Sequence, residues 1–204
     1  MMYDVLRVYS PPVPTLPSFT VFDLETTGLD PRKGERIIEI GALRIEEQQI
    51  TEKKFQSLVN PERQISWGAS KVHRITDDEV RLAPTIDIVL PNFLDFARGS
   101  ILIAHNAQFD MSFLEQEKEG CWGYVDLPEC FCTMRLSQAV FPCEFRHNLD
   151  ILAVRLGIPL PTDRHRAMPD VVVTALALLK LIDMGNIRSI EELRKKSTIA
   201  LLQA

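Results

Sequence analysis

The stretch Phe19-Thr20-Val21-Phe22-Asp23-Leu24-Glu25-Thr26-Thr27-Gly28-Leu29 is an apolar, β-favouring run that ends in a Thr-Thr-Gly turn signal. Side chains alternate along a strand, so Asp23 and Glu25 share one face while Phe22 and Leu24 share the other. Two like charges on one face of an apolar strand repel each other and lose solvation. A divalent cation would relieve both penalties, and oxygen ligands suit Mg²⁺ or Mn²⁺. An edge strand with its polar face in water would relieve them equally well. This stretch alone does not separate the two readings.

The whole chain narrows the field. Its 204 residues are enough for one domain with a full core, and 46% hydrophobic with 25% charged residues is an ordinary globular composition. A formal charge of −5 is unusual for a protein that holds a polyphosphate by its own surface, unless metal ions supply the positive charge at the site. Cys121, Cys130, Cys132 and Cys143 form no Cys-x-x-Cys pair and follow no signal peptide, which reads as reduced thiols in a cytoplasmic protein, with zinc binding or disulfides the lesser alternative. The longest apolar run, near 171–182, is interrupted by Lys180 and is too short to span a bilayer. No membrane partner is expected.

Outward from the Asp23 strand, the elements alternate. Residues 1–18 carry Pro11, Pro12, Pro14 and Pro17 and read as an extended arm. Residues 37–45 and 51–59 read as two further strands, the first with Ile38, Ile40 and Ala42 alternating against Glu39 and Gly41. Residues 62–81 read as loop and turn, and a helix follows Pro84, with Pro91 inside it. Ile101-Leu102-Ile103-Ala104 fits a buried strand, and Asn106 can cap the helix after it. A short strand at 130–133 and helices near 134–140 and 148–156 come next, then a helix at 169–184 that is apolar nearly all round. Ser189 and Glu192 form a capping-box pattern for a last helix at 190–202. The expected layout is an arm at 1–18, one domain at 19–185, and a C-terminal helix and tail at 186–204.

Three further chemical positions sit at element ends. Asp110 falls in the first turn of a helix just after a buried strand, and Asp170 in the first turn of the most apolar helix, preceded by His165. Each acid alone is explained by the helix dipole, and His165 alone by an ordinary loop. Arg164 and Arg166 flank that histidine and could steer phosphate or simply solvate the loop.

Taken together, Asp23-x-Glu25, His105-Asn106-x-x-Phe109-Asp110 and His165-x-x-x-x-Asp170 occur in an order and spacing that resembles the DEDDh (DnaQ-like) 3′–5′ exonucleases, the family of the proofreading epsilon subunit of bacterial DNA polymerase III. The resemblance spans about residues 19–184 and includes Val72-His73-Arg74-Ile75-Thr76 and Leu149-Asp150-x-Leu152-Ala153. It implies an α/β, ribonuclease H-like fold, with a mixed five-stranded sheet flanked by helices. It also implies hydrolysis of single-stranded or frayed 3′ ends to nucleoside 5′-monophosphates.

By the same resemblance, Asp23, Glu25, Asp110 and Asp170 would hold two Mg²⁺ or Mn²⁺ ions, and His165 would be the general base. Thr26, Leu29, His73, Asn106 and Phe109 match positions that hold the terminal nucleotide. Two positions depart from the family pattern: Arg74, where Gly or Asn is more usual, and Gly68, where some relatives carry an acid. The implied partner is single-stranded DNA, with RNA an alternative; a free-standing repair or turnover nuclease and a subunit docked on a DNA polymerase are both open readings, as are monomer and homodimer. Loss of an acid or of the histidine would mark a catalytically idle binding module, and none is lost.

Overall fold

A computed structural model describes residues 16–121, 126–162 and 165–199. Most of the proline-rich arm lies outside these residues. Five strands form one sheet: β1 (Phe19–Thr26), β2 (Ile37–Glu46), β3 (Gln49–Leu58), β4 (Ile101–Ala104) and β5 (Cys130–Cys132), in the order β3-β2-β1-β4-β5. The pairs β3–β2 and β2–β1 are antiparallel, whereas β1–β4 and β4–β5 are parallel. Strand β2 therefore runs against the other four. The carboxyl ends of β1 and β4 open side by side, where open α/β sheets bind their ligands.

The alternation along β1 sorts the two cores. Phe19 and Val21 face a layer built with Val171, Ala175 and Leu178 of α7 (Ala167–Met184). Phe22 and Leu24 face the other layer, with Phe93 of α3 (Ile86–Ala97) and Phe113 and Leu114 of α4 (Ala107–Lys118). The Phe22 and Phe93 rings lie 5.5 Å apart. Asp23 and Glu25 thus fall on the α7 face. Strand β2 is buried on both faces along most of its length, Glu39 and Gly41 included, because α7 covers the side that alternation alone would assign to water.

Residues 62–81, read from sequence as loop and turn, contain two short helices: α1 (Trp67–His73) and α2 (Asp77–Val80). Each is nucleated by a side-chain cap, Ser66 for α1 and the Thr76–Glu79 capping box for α2. Two helices follow β5: α5 (Thr133–Val140) and α6 (Leu149–Arg155). The last helix, α8 (Ile190–Ser197), buries Leu193 in the α7 layer and ties Arg194 to Glu129, 2.7 Å away. Ser189 caps α8, but Glu192 accepts from the Arg188 N–H rather than closing a capping box. Among the described residues all four cysteines are free thiols, and no helix is long and apolar enough to cross a membrane.

Candidate active site

The acids converge because three elements end at one edge of the sheet. Asp23 and Glu25 occupy the carboxyl half of β1, opposite Gly41 and Glu39 of β2. The ladder shifts register between Glu25 and Thr26, a bulge of the kind that re-aims side chains beside a site. Asp110 arrives on the first turn of α4, directly after β4, and is 3% exposed. Burial pushes its carboxyl up to about 7, and the groups that pull it back are its own N–H and that of Leu24. The Asp110 carboxyl therefore sits beside the strand of Asp23 and Glu25.

Asp170, 8% exposed, arrives on the first turn of α7. That turn lies against β2 at Gly41, where an added Cβ would be 2.8 Å from the Ala167 Cβ and 3.0 Å from the Met168 nitrogen. A glycine at 41 is what permits this approach. His165 is exposed and holds φ 65 just ahead of the helix.

The donor set is all oxygen and partly buried, which fits a hard divalent cation. For Asp110 in particular, a nearby cation would hold ionised a carboxyl that burial drives toward the neutral acid. Among the described residues, no group of three or more His, Cys, Asp or Glu side chains is gathered tightly enough to hold an ion as it stands.

Beside the acids opens a cleft of about 590 Å³ lined by Leu24, Glu25, Thr26, Leu29, His73 and Phe109, among others. The turn that follows β1 is firmly held. Thr26 Oγ1 donates to the Gly28 carbonyl at 2.6 Å, and Thr27 exchanges backbone bonds with Arg36 and Ser66. Arg36 is in turn paired with the buried Glu117 of α4 at 2.7 Å. The Thr26 hydroxyl is thus used within the turn. Leu29, at the tip, is 85% exposed, a large apolar side chain held out beside the cleft.

His73 is buried, and its Nδ1 accepts the Ile75 N–H at 3.0 Å, so the ring proton of the neutral imidazole sits on Nε2. Burial holds its pKa below the ordinary histidine range, with the nearby Thr26 carbonyl opposing. Nε2 itself is buried, with the Thr26 carbonyl nearby but no well-formed hydrogen bond. Phe109 is half-buried, its ring 5.0 Å from that of Phe113.

Two sequence readings change. Asn106 takes the N-cap position of α4 at φ 59 without a side-chain bond to the helix; it contributes tolerance of the left-handed turn rather than a cap. Arg166 does not project toward a phosphate, because its guanidinium is forked onto Glu39; Arg164 lies outside the described residues. Arg74 closes α1 at φ 62, in the left-handed region that Gly or Asn tolerates best. A Cβ at Gly68 would meet nothing within 4 Å, so a side chain has room there.

This sheet order, with acids from β1, α4 and α7 at one edge, defines a ribonuclease H-like nuclease architecture. A family model described as Exonuclease (RNase_T) matches residues 20–178. A DNA polymerase III subunit epsilon-like protein of Rhodobacter capsulatus is 42% identical over 167 residues, covering 81% of this chain and 24% of that protein. The DNA polymerase III subunit epsilon of Rickettsia conorii is 33% identical over 184 residues, covering 88% of this chain and 79% of that protein. Exonuclease X, solved in complex with 5′ overhanging duplex DNA, matches with a TM-score of 0.71 at 27% identity, covering 87% of this chain and 98% of that one. The chain belongs to the DnaQ-like 3′–5′ exonuclease family. It spans about a quarter of the length of the Rhodobacter relative.

Proposed function

We propose that the chain is an active 3′–5′ exonuclease that removes nucleoside 5′-monophosphates from single-stranded or frayed DNA 3′ ends. The observation that carries this is the meeting of the Asp23–Glu25 strand with the buried Asp110 and Asp170 beside a nucleotide-sized cleft. The residues that would hold divalent ions, two Mg²⁺ or Mn²⁺, are Asp23, Glu25, Asp110 and Asp170. When bound, such ions neutralise the phosphate and stabilise the attacking and leaving oxygens of an in-line displacement.

The chain's own residues supply the rest. Leu29 wedges against the terminal base, and Phe109 packs on the base or sugar. The Nε2–H of His73, beside the Thr26 carbonyl but without a well-formed bond to it, donates to a phosphate or ribose oxygen of the terminal nucleotide. The backbone of Thr26 and the Asn106 corner line the path of the strand. His165, exposed at the entrance to α7, takes the proton of the attacking water. Hydrolysis breaks the P–O3′ bond of the penultimate nucleotide and leaves a free 3′-hydroxyl on the shortened strand.

The duplex DNA in the Exonuclease X structure favours DNA as substrate. The epsilon subunits among the relatives favour work alongside a polymerase. Single-stranded DNA and RNA of one sequence, each labelled at the 5′ end and incubated with Mg²⁺ or Mn²⁺, test the proposal. A ladder shortening from the 3′ end of DNA, absent with Asp23→Ala and weakened about a hundredfold or more with His165→Ala, supports it. An undegraded DNA strand overturns it.

A further inference from the structure

The acid nearest to the catalytic carboxylates in the β1–β2 ladder has no part in the chemistry above. Glu39 lies directly across from Glu25, is 0% exposed, and receives four hydrogen bonds. Arg166 Nε donates to its Oε2 at 3.0 Å and Arg166 Nη2 to its Oε1 at 3.0 Å. The Ala167 N–H donates to Oε2 at 3.2 Å, and Gln56 Nε2 donates to Oε1 at 2.9 Å. Burial pushes the Glu39 carboxyl up, but the bonds from Arg166, Gln56 and Ala167 outweigh it, so the group stays below its usual range and charged.

The position of these bonds matters more than their number. Helix α7 begins at Ala167 after Arg166, whose side chain gives the helix no cap. Its first N–H is satisfied instead by Glu39, from a strand 128 residues earlier in the chain. The residue just before this anchored pair is His165, in the left-handed region at φ 65. An L residue stays there only when its surroundings over-determine it. Three residues beyond Ala167 comes Asp170. One carboxylate therefore fixes the segment that carries both groups α7 brings to the site, and it does so from the strand paired with Asp23 and Glu25.

We propose that Glu39 is a positioning residue: through Arg166 and the Ala167 N–H it holds His165 and Asp170 at a set height above β1. Gln56, on β3, completes the carboxylate's coordination and keeps it from turning away. In its kinetic readout this rests on the exonuclease reading above.

The test compares the wild type with Glu39→Gln, Arg166→Gln and the double variant. On single-stranded DNA with Mg²⁺, each single variant should lower kcat at least tenfold while KM stays within about threefold. The double variant should be no worse than the poorer single one, as expected of two groups that act as a unit. Should Arg166→Gln fail to fold because it leaves the buried Glu39 charge unpaired, the isosteric Glu39→Gln carries the test, since the Arg166 it leaves behind is 34% exposed.

The ring signals of the four histidines in a ¹H–¹³C spectrum provide a readout independent of turnover. In the variants the His165 signal should move toward that of an unstructured peptide, while those of His105 and His147 stay in place; the His73 ring, within reach of the Glu39 and Arg166 charges, should shift as well. Unchanged kcat in Arg166→Gln, losses that multiply in the double variant, or an unmoved His165 signal would overturn the proposal. A wild type that shows no nuclease activity while its His165 signal responds as described removes the exonuclease reading and leaves the positioning role standing.

Discussion

Asp23 on β1 and Gly41 on β2 are direct partners across the antiparallel ladder, and the space above Gly41 is taken by Ala167 and Met168 of α7. The absent side chain at 41 therefore sets how close the Asp170 turn comes to Asp23. A Gly41→Ala methyl would lie 2.8–3.0 Å from atoms that include the helix backbone, which cannot rotate away. Overpacking of this kind costs about 1–3 kcal/mol. Gly41→Ala should lower the unfolding temperature and reduce kcat more than tenfold, measured by calorimetry and single-turnover kinetics. Full activity with an unchanged melting curve would show that α7 docks independently of this contact.

Asp110 gives a pH dependence of defined sign. Burial raises its carboxyl to about 7 in the folded chain, while the unfolded chain ionises it in the ordinary carboxylate range, near 3.9. Between those values the unfolded state has lost a proton that the folded state keeps. The metal-free protein should therefore lose stability from this group as pH rises toward 7. Asp110→Asn should melt higher than wild type in EDTA at neutral pH, and should lose most of the stabilisation that Mn²⁺ gives to wild type. Equal melting temperatures in EDTA across this range would contradict the assignment.

Leu29 separates binding from folding. At 85% exposure it contributes little to the core, so Leu29→Ala should change stability by no more than about 0.5 kcal/mol. Its loss should raise KM for single-stranded DNA several-fold. An unchanged KM would remove the wedge role.

Arg74 pays for its place in the left-handed region at φ 62, a conformation that disfavours an L side chain by about 1–2 kcal/mol. Arg74→Gly should raise stability by up to about 1 kcal/mol, because glycine also loses more chain entropy on folding. It should leave kcat within twofold. A lower melting temperature would mean that the Arg74 side chain holds something the backbone angle does not report.

What sequence made legible, and what it did not, follows from range. The period of two in β1 and the acids at the first turns of α4 and α7 are local signals, and each lies where its pattern places it. Glu39 was hidden for the opposite reason. Between Ile38 and Ile40 it looks like the wet member of a half-buried strand, and the groups that offset its burial, Arg166 first among them, lie up to 128 residues later. The same pair explains why α7 starts at Ala167, two residues before the proline that looks like its beginning. Helices α1 and α2 were missed because seven and four residues are too few to show a period. Their caps were present all the same, in Ser66 and in Thr76-x-x-Glu79. The approach of α7 to Gly41 leaves no local mark beyond a glycine inside a strand.

The central claim is that Asp23, Glu25, Asp110 and Asp170 form one divalent-metal site. Crystals grown with Mn²⁺ and a nucleoside 5′-monophosphate, with anomalous data collected for manganese, test it most directly. Two peaks about 3.5–4 Å apart, between these four carboxylates and beside the phosphate, are the predicted result. No peak within ligand distance of Asp23, with the nucleotide bound in the cleft, would contradict it.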